Sequence, residues 1–197
     1  MLPCRDQIVG VLLAAGKGVR FDPVGERNKL LQVIRDGRKV GAAAADSLHT
    51  ILPTVIAVVR DESDALAAEL RDAGCITVAC ADADSGMAAS LVCGLRHTAE
   101  AAGWIIALGD MPYVEADTIA VLAAALHDGA DIAVPVYQGT RGNPVGFSRR
   151  HLPALLRLSG DRGARELLQS LPVTAVLVDD EGILRDIDTA RDLPYIN

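Results

Sequence analysis

Residues 8–20 read Ile8-Val9-Gly10-Val11-Leu12-Leu13-Ala14-Ala15-Gly16-Lys17-Gly18-Val19-Arg20, and this stretch decides the fold. A near-continuous apolar run that breaks into a glycine loop is a strand buried on both faces, the kind found in parallel sheets. Gly16 and Gly18 tolerate positive φ and let backbone N–H groups approach phosphate oxygens, while Lys17, Arg20 and the following Lys29 bring countercharge. Such a loop suits a nucleoside triphosphate; an ordinary strand-to-helix turn is the plainer alternative. Better-known nucleotide loops are disfavoured, because Gly16-Lys17-Gly18-Val19-Arg20 lacks the Lys-Ser/Thr ending of a Walker A loop and no third glycine completes GxGxxG.

Working outward, β-rich runs alternate with alanine-rich helical patterns, the mark of parallel strands joined by crossover helices. The pattern predicts strands at Ile8–Leu13, Thr54–Val59, Thr77–Cys80, Trp104–Leu108, Ile132–Val136 and Val173–Val178. Helices are predicted at Gly41–Thr50, Ser63–Ala73, Met87–Ala99, Glu115–His127, Arg149–Arg157 and Gly163–Ser170, with stops near Gly74, Gly103 or Gly129. Gly139–Pro144 reads as a turn-rich loop. The expectation is one three-layer α/β domain spanning residues 1–197, with a mostly parallel sheet. Loops after the first, fourth and fifth predicted strands are then expected to converge on one crevice beyond the carboxyl ends of the strands.

Charge points the same way. The 197-residue chain carries a formal −7, yet residues 1–40 hold eight Lys/Arg against four Asp/Glu, and all its lysines (Lys17, Lys29 and Lys39) lie there. A basic site on an acidic body argues for a small anion and against nucleic acid or a membrane surface as partner. The longest apolar runs, such as Ile119–Leu126, fall short of the roughly 20 residues a spanning helix needs, and the start has no signal-peptide pattern, so a cytoplasmic protein is expected. Cys4, Cys75, Cys80 and Cys93 lack CxxC spacing and are read as reduced thiols rather than zinc ligands.

A second informative stretch is Ile105-Ile106-Ala107-Leu108-Gly109-Asp110-Met111-Pro112, an apolar strand ending at a carboxylate. Facing a triphosphate, Asp110 is most simply a Mg²⁺ ligand, because Mg²⁺ favours one or two carboxylates with phosphate oxygens and water; a turn aspartate before Pro112 is the alternative. Near the C-terminus, Asp186 and Asp188 flank Ile187 and face one way if extended, so either could complete a metal site. Asp188 could instead cap a short helix beginning near Thr189.

These motifs, with Ser85-Gly86-Met87-Ala88-Ala89-Ser90-Leu91, Arg141-Gly142-Asn143-Pro144-Val145, Gly160-Asp161-Arg162-Gly163-Ala164-Arg165 and Asp186-Ile187-Asp188-Thr189, stand in an order that resembles the molybdenum cofactor nucleotidyltransferases, above all the cytidylyltransferases. The resemblance implies a Rossmann-like nucleotidyltransferase fold, Mg²⁺ as cofactor, and transfer of CMP from CTP to a molybdopterin-type cofactor with release of pyrophosphate. Molybdenum hydroxylases of the xanthine dehydrogenase type are the implied recipients and transient partners.

Carried onto this sequence, the resemblance implies nucleotide contacts from Leu13, Ala14, Ala15, Gly16, Lys17, Gly18, Arg20, Lys29, Gly86 and Ser90. Arg20, Lys29 and Asp110 are then the catalytic set, with Lys17 and Arg20 on the β- and γ-phosphates and Lys29 at the α-phosphate. Asp110 and Asp188 hold Mg²⁺. Arg141, Gly142, Asn143, Pro144, Asp161, Gly163 and Arg165 line the acceptor side, while Met87 is expected to pack. Ala14-Ala15-Gly16 is similar to the cytidylyl branch, the guanylyl branch typically having two glycines there, and a Cβ at position 15 narrows the space near the base, which favours a pyrimidine. The link Phe21–Asn28 is longer than the resemblance leads one to expect, and Arg38-Lys39-Val40-Gly41 lacks the usual proline. Two alternatives stay open: a different nucleotide or phosphorylated acceptor, such as a sugar or polyol phosphate, and a non-catalytic cofactor carrier for a hydroxylase.

Overall fold

The computed structural model describes residues 6–160 and 164–193. The first strand, β1 (Ile8–Leu13), lies at the centre of a sheet and is followed by α1 (Val40–His49), β2 (Val55–Val59), α2 (Ala65–Asp72), β3 (Ile76–Ala79), α3 (Met87–His97) and β4 (Gly103–Leu108). Then come α4 (Ala116–His127), β5 (Ile132–Tyr137), the short β6 (Thr140–Arg141), β7 (Val145–Ser148), the single turn α5 (Leu152–Leu155), α6 (Arg165–Ser170) and β8 (Thr174–Leu177). The order across the sheet is β3-β2-β1-β4-β7-β5-β6, with β8 paired to β5. β1 runs parallel to both neighbours, Leu13 lying opposite Val58 on one side and Leu108 on the other. The carboxyl ends of β1, β2 and β4 therefore open at one edge.

Alternation along β1 explains the layers. Ile8 and Leu12 pack with residues of α1, α2 and α4 in one core, whereas Val9 and Val11 pack with Leu91 and Leu95 of α3 and Leu155 of α5 in the other. Both faces are covered, so the strand reads as a continuous apolar run. Side chains such as Leu12, Leu91, Leu122 and Trp104 are withdrawn from water, each contributing about 1.5–3 kcal/mol or more of transfer free energy. Asp64 caps α2 by accepting from the Ala67 N–H at 2.7 Å. Helix α3 lies so close to the sheet that a Cβ at Gly94 would stand 2.8 Å from Val11.

The expected three-layer α/β fold with a mostly parallel sheet is present, with local corrections. The stretch around Gly139–Pro144 is not all loop: Thr140 and Arg141 form β6, antiparallel to β5. Strand β7 is antiparallel to both β4 and β5 and was not expected; Val145-Gly146-Phe147-Ser148 is too short and too glycine-broken to announce itself. The expected helix Arg149–Arg157 is a 3-10 turn at Arg149–His151 and one α-helical turn after it. The last helix starts at Arg165, and the last strand shortens to Thr174–Leu177. Gly74 and Gly129 do follow helices in the left-handed region, φ +88 and +98, but Gly103 opens β4.

Candidate active site

The glycine loop is held at both ends. The Ala14 N–H donates to Val58 O at 2.9 Å, keeping the start of the loop on the sheet, and Gly18 turns the chain at φ +63. The N–H groups of Phe21 and Asp22 close on Gly18 O at 2.9 and 3.0 Å, and Phe21 is buried. The long link that follows folds around the buried Asp22, which accepts from the Arg27 and Val24 N–H groups at 2.7 and 3.1 Å. Those bonds, the one from Arg27 first, hold its carboxyl below the ordinary carboxylate range. The link delivers Asn28, whose side chain accepts from the Leu30 N–H at 2.9 Å and caps the turn Lys29–Leu31. Leu30 is buried, which fixes Lys29 beside the loop: a Cβ on Gly18 would lie 3.6 Å from Lys29 Cγ.

The carboxylates arrive from distant segments. Gly109 N–H donates to Leu13 O at 2.9 Å, placing Asp110 at the end of β4 next to the end of β1. Lys29 Nζ lies 2.6 Å from Asp110 Oδ2 and 3.8 Å from Asp188 Oδ1, and Arg20 Nη1 lies 2.6 Å from Asp188 Oδ2. The Lys29 and Asp110 side chains are only 13% and 22% exposed, so this pair stands largely out of water. Asp188 owes its place to Ile187, which is buried and whose N–H donates to Asp110 O at 2.8 Å. Asp188 does not cap a helix at Thr189: no helix begins there among the described residues, and Asp192 accepts from the Asp188 and Thr189 N–H groups instead. Asp186 sits close by, its carboxyl pushed up first by partial burial and then by the charges of Asp188 and Asp110.

Asp110 Oδ1 is buried and has no hydrogen-bond partner among the described residues. A buried carboxylate oxygen left unpaired is costly, and two carboxylates meeting beside the glycine loop form a hard-oxygen donor set that suits a divalent cation.

Leu13, Ala14, Ala15, Gly16, Lys17, Gly18, Arg20, Lys29, Gly86, Ser90, Asp110 and Asp188 all line one cavity of about 510 Å³. Gly86, at φ +110, opens α3 into it. Two charged residues of this cavity were not anticipated. Arg60 donates to Ala15 O at 3.1 Å and pairs with Asp84, which also holds Lys17 Nζ at 3.0 Å. Arg60 directly follows β2, the parallel neighbour of β1, so the rule that singled out Asp110 could have found it; Asp84, on a 3-10 turn, carried no sequence signal. Met87, expected to pack, is 44% exposed.

Most of the described residues expected on the acceptor side gather in an adjoining cavity of about 520 Å³ that shares Leu13, Met87 and Leu108 with the first. Arg141, Gly142, Asn143 and Arg165 line it, with Ile106, Val134, Phe147 and Leu168 as its apolar floor. Pro144 does not; it faces a small pocket beside Ser47 and Met111. The loop after β5 thus reaches a neighbouring cavity rather than the crevice formed by the loops after β1 and β4. Gly142 is there for packing, since a Cβ would meet Ile183 O at 2.4 Å. Asp161 and Gly163 lie outside the described residues.

A three-layer sheet with a glycine loop, cations and carboxylates at the ends of its parallel strands defines the nucleotidyltransferase class of fold. Within that class the chain belongs to the MobA-like NTP transferase domain family, which matches residues 10–175. It is 33% identical over 203 residues to the purine catabolism protein PucB of Bacillus subtilis (strain 168), covering 96% of this chain and 95% of that one. It is 30% identical over 209 residues to a molybdenum cofactor guanylyltransferase of Cupriavidus pinatubonensis, covering 96% of each. Crystal structures of Rv0371c from Mycobacterium tuberculosis H37Rv superpose with a TM-score of 0.78 at 31% identity, covering 95% of this chain and 96% of that one. In complex with manganese the values are 0.72 and 28%, with 95% of each chain covered. No helix among the described residues is long and apolar enough to cross a membrane.

Proposed function

We propose that this protein, acting as one domain, transfers CMP from CTP to a molybdopterin-type cofactor, releasing pyrophosphate and forming the cytosine dinucleotide. The observation that carries the reading is the meeting of Lys29 with Asp110 and Asp188 beside the glycine loop, which joins phosphate countercharge to a hard-metal donor pair in one cavity.

No nucleophilic side chain is needed. A phosphate oxygen of the acceptor attacks the α-phosphorus in line; the new P–O bond forms as the bond from the α-phosphorus to the bridging oxygen breaks, and pyrophosphate leaves with that electron pair. The protein's share is positioning and charge neutralisation. Lys17 and Arg20 hold the β- and γ-phosphates, and Lys29 sits where charge grows at the α-phosphate. Asp110 and Asp188 fit Mg²⁺, which when bound supplies Lewis-acid neutralisation of the phosphate oxygens. Arg141 and Arg165 hold the acceptor's phosphate at the rim of the apolar cavity, a planar fork suited to phosphate. This division of labour keeps the two substrates in adjoining cavities with a common wall.

Ala15 favours a pyrimidine by narrowing the base end. The relative named as a guanylyltransferase supports a second reading with GTP as donor. A test is to supply the purified protein with each of the four ribonucleoside triphosphates, Mg²⁺ and the molybdenum-loaded or metal-free pterin, then measure pyrophosphate and the mass of the product. Pyrophosphate and a cytosine dinucleotide with CTP alone are expected; release with GTP instead overturns the base, and release with a sugar or polyol phosphate overturns the acceptor. Binding of the pterin with no pyrophosphate under any donor overturns the enzymatic reading.

A further inference from the structure

The cavity holds an anion of the protein's own. Asp84 lies 3.0 Å from Lys17 Nζ and also pairs with Arg60, and the hydrogen bonds from Arg60 and then Lys17 keep its carboxyl below the ordinary range. Arg60 in turn grips the Ala15 carbonyl at 3.1 Å. Three elements are tied together by this chain of contacts: the glycine loop, the end of β2, and the 3-10 turn Ala83–Ser85 that leads into Gly86 and α3.

We infer that Asp84, anchored by Arg60, is a positioning residue that occupies Lys17 until a nucleotide phosphate takes its place. Binding then exchanges one ion pair for another, and the net gain from Lys17 is reduced by the pair that must be broken. The inference rests on the reading of Lys17 as a phosphate ligand. Its physical basis is that a lysine has a compact, localised charge: an anion at 3.0 Å and a phosphate compete for the same ammonium group. Arg60 has further donors and keeps its bond to Ala15 whichever anion Lys17 holds, so the loop stays anchored through the exchange. The Lys17 and Asp84 side chains are 57% and 60% exposed, which makes the pair a weak one that a triphosphate can displace.

The test is a double-mutant cycle read by calorimetric titration with the Mg²⁺ complex of an α,β-methylene triphosphate, which cannot be turned over. The base is the one selected by the pyrophosphate screen. Asp84→Asn keeps the shape and removes the charge, and is expected to tighten binding about three-fold. Lys17→Ala is expected to weaken it about ten-fold. In the Lys17→Ala background, Asp84→Asn is expected to change nothing. Asp82→Asn, an equal change in net charge two residues away and outside the lining of the cavity, is the control for general electrostatics and is expected to leave affinity unaltered. Weaker binding in Asp84→Asn overturns the inference, as does the same tightening with and without Lys17 or an equal effect of Asp82→Asn. Failure of the underlying reading shows separately: Lys17→Ala then binds as tightly as the parent protein, whatever Asp84 does.

Discussion

The two cavities share Leu13, Met87 and Leu108 and are built on opposite principles. The cavity proposed for the nucleotide stands at the ends of parallel strands, where Lys29, Asp110, Asp188 and Arg20 are already paired at 2.6–3.8 Å and each is fixed by a backbone contact or a buried neighbour. The cavity proposed for the acceptor stands over the antiparallel part of the sheet, floored by Ile106, Val134 and Phe147, with Arg141 and Arg165 at its rim. Polar groups that meet a highly charged substrate must be oriented before it arrives, because reorganising them during the reaction costs free energy. An apolar floor needs only the right shape, and directional contacts are concentrated in a few polar groups. The first cavity is therefore expected to lose rate when altered, and the second to lose affinity for one substrate.

That contrast can be broken most sharply at Asp110. Asp110→Asn removes a charge where the triphosphate and its metal are proposed to be held, and kcat is expected to fall on the order of a thousand-fold while nucleotide affinity changes far less. A steady-state assay in parallel with nucleotide titration separates the two; an equal loss in affinity would make Asp110 a binding group only. Next in size is a change that strikes both cavities at once. Asp180 is buried and accepts from the Glu115 N–H, Thr118 Oγ1 and the Gly182 N–H at 2.9, 2.7 and 2.8 Å. It anchors the turn Glu181–Leu184, whose Ile183 O receives the Asn143 N–H at 3.0 Å and whose chain continues to Asp188. Asp180→Ala leaves buried donors unmatched and is expected to cost about 3 kcal/mol in a denaturant titration. Arg165→Ala or Arg141→Ala should raise KM for the acceptor about twenty-fold and leave KM for the triphosphate where it was. Should the triphosphate KM rise as much, the two cavities would not be separate binding sites.

What could be read ahead of the structure follows the same division. The apolar runs Ile8–Leu13 and Trp104–Leu108 are buried on both faces, so composition alone marks them as parallel strands, and their ends mark Gly16–Arg20 and Asp110. The antiparallel part left a fainter trace. Strand β7 is four residues with a glycine inside it, and its pairing with β4 depends on residues forty positions apart. The residues alone left Asp186 and Asp188 both open as partners of Asp110, and only resemblance chose Asp188, because it comes to the cavity by way of the buried Ile187 and one backbone bond, neither of which a local pattern contains. Asp84 left no trace at all: its role depends on Arg60 and Lys17, brought to it by the sheet.

The smallest expected effect tests how finely the nucleotide side is shaped. Ala15 is 3% exposed, lines the cavity, and has its carbonyl fixed by Arg60, so its methyl group cannot shift without disturbing that bond. Removing the methyl in Ala15→Gly enlarges the site by one carbon and adds backbone freedom to the loop. One carbon in a packed pocket discriminates by about 1–3 kcal/mol at most, so the ratio of kcat/KM for CTP over GTP is expected to fall about ten-fold. Both effects act on the donor and neither reaches Arg141 or Arg165, so KM for the acceptor should stay constant while that ratio moves. A ratio that does not move would assign base choice to the wall formed by Gly86 and Ser90 instead, which lines the same cavity.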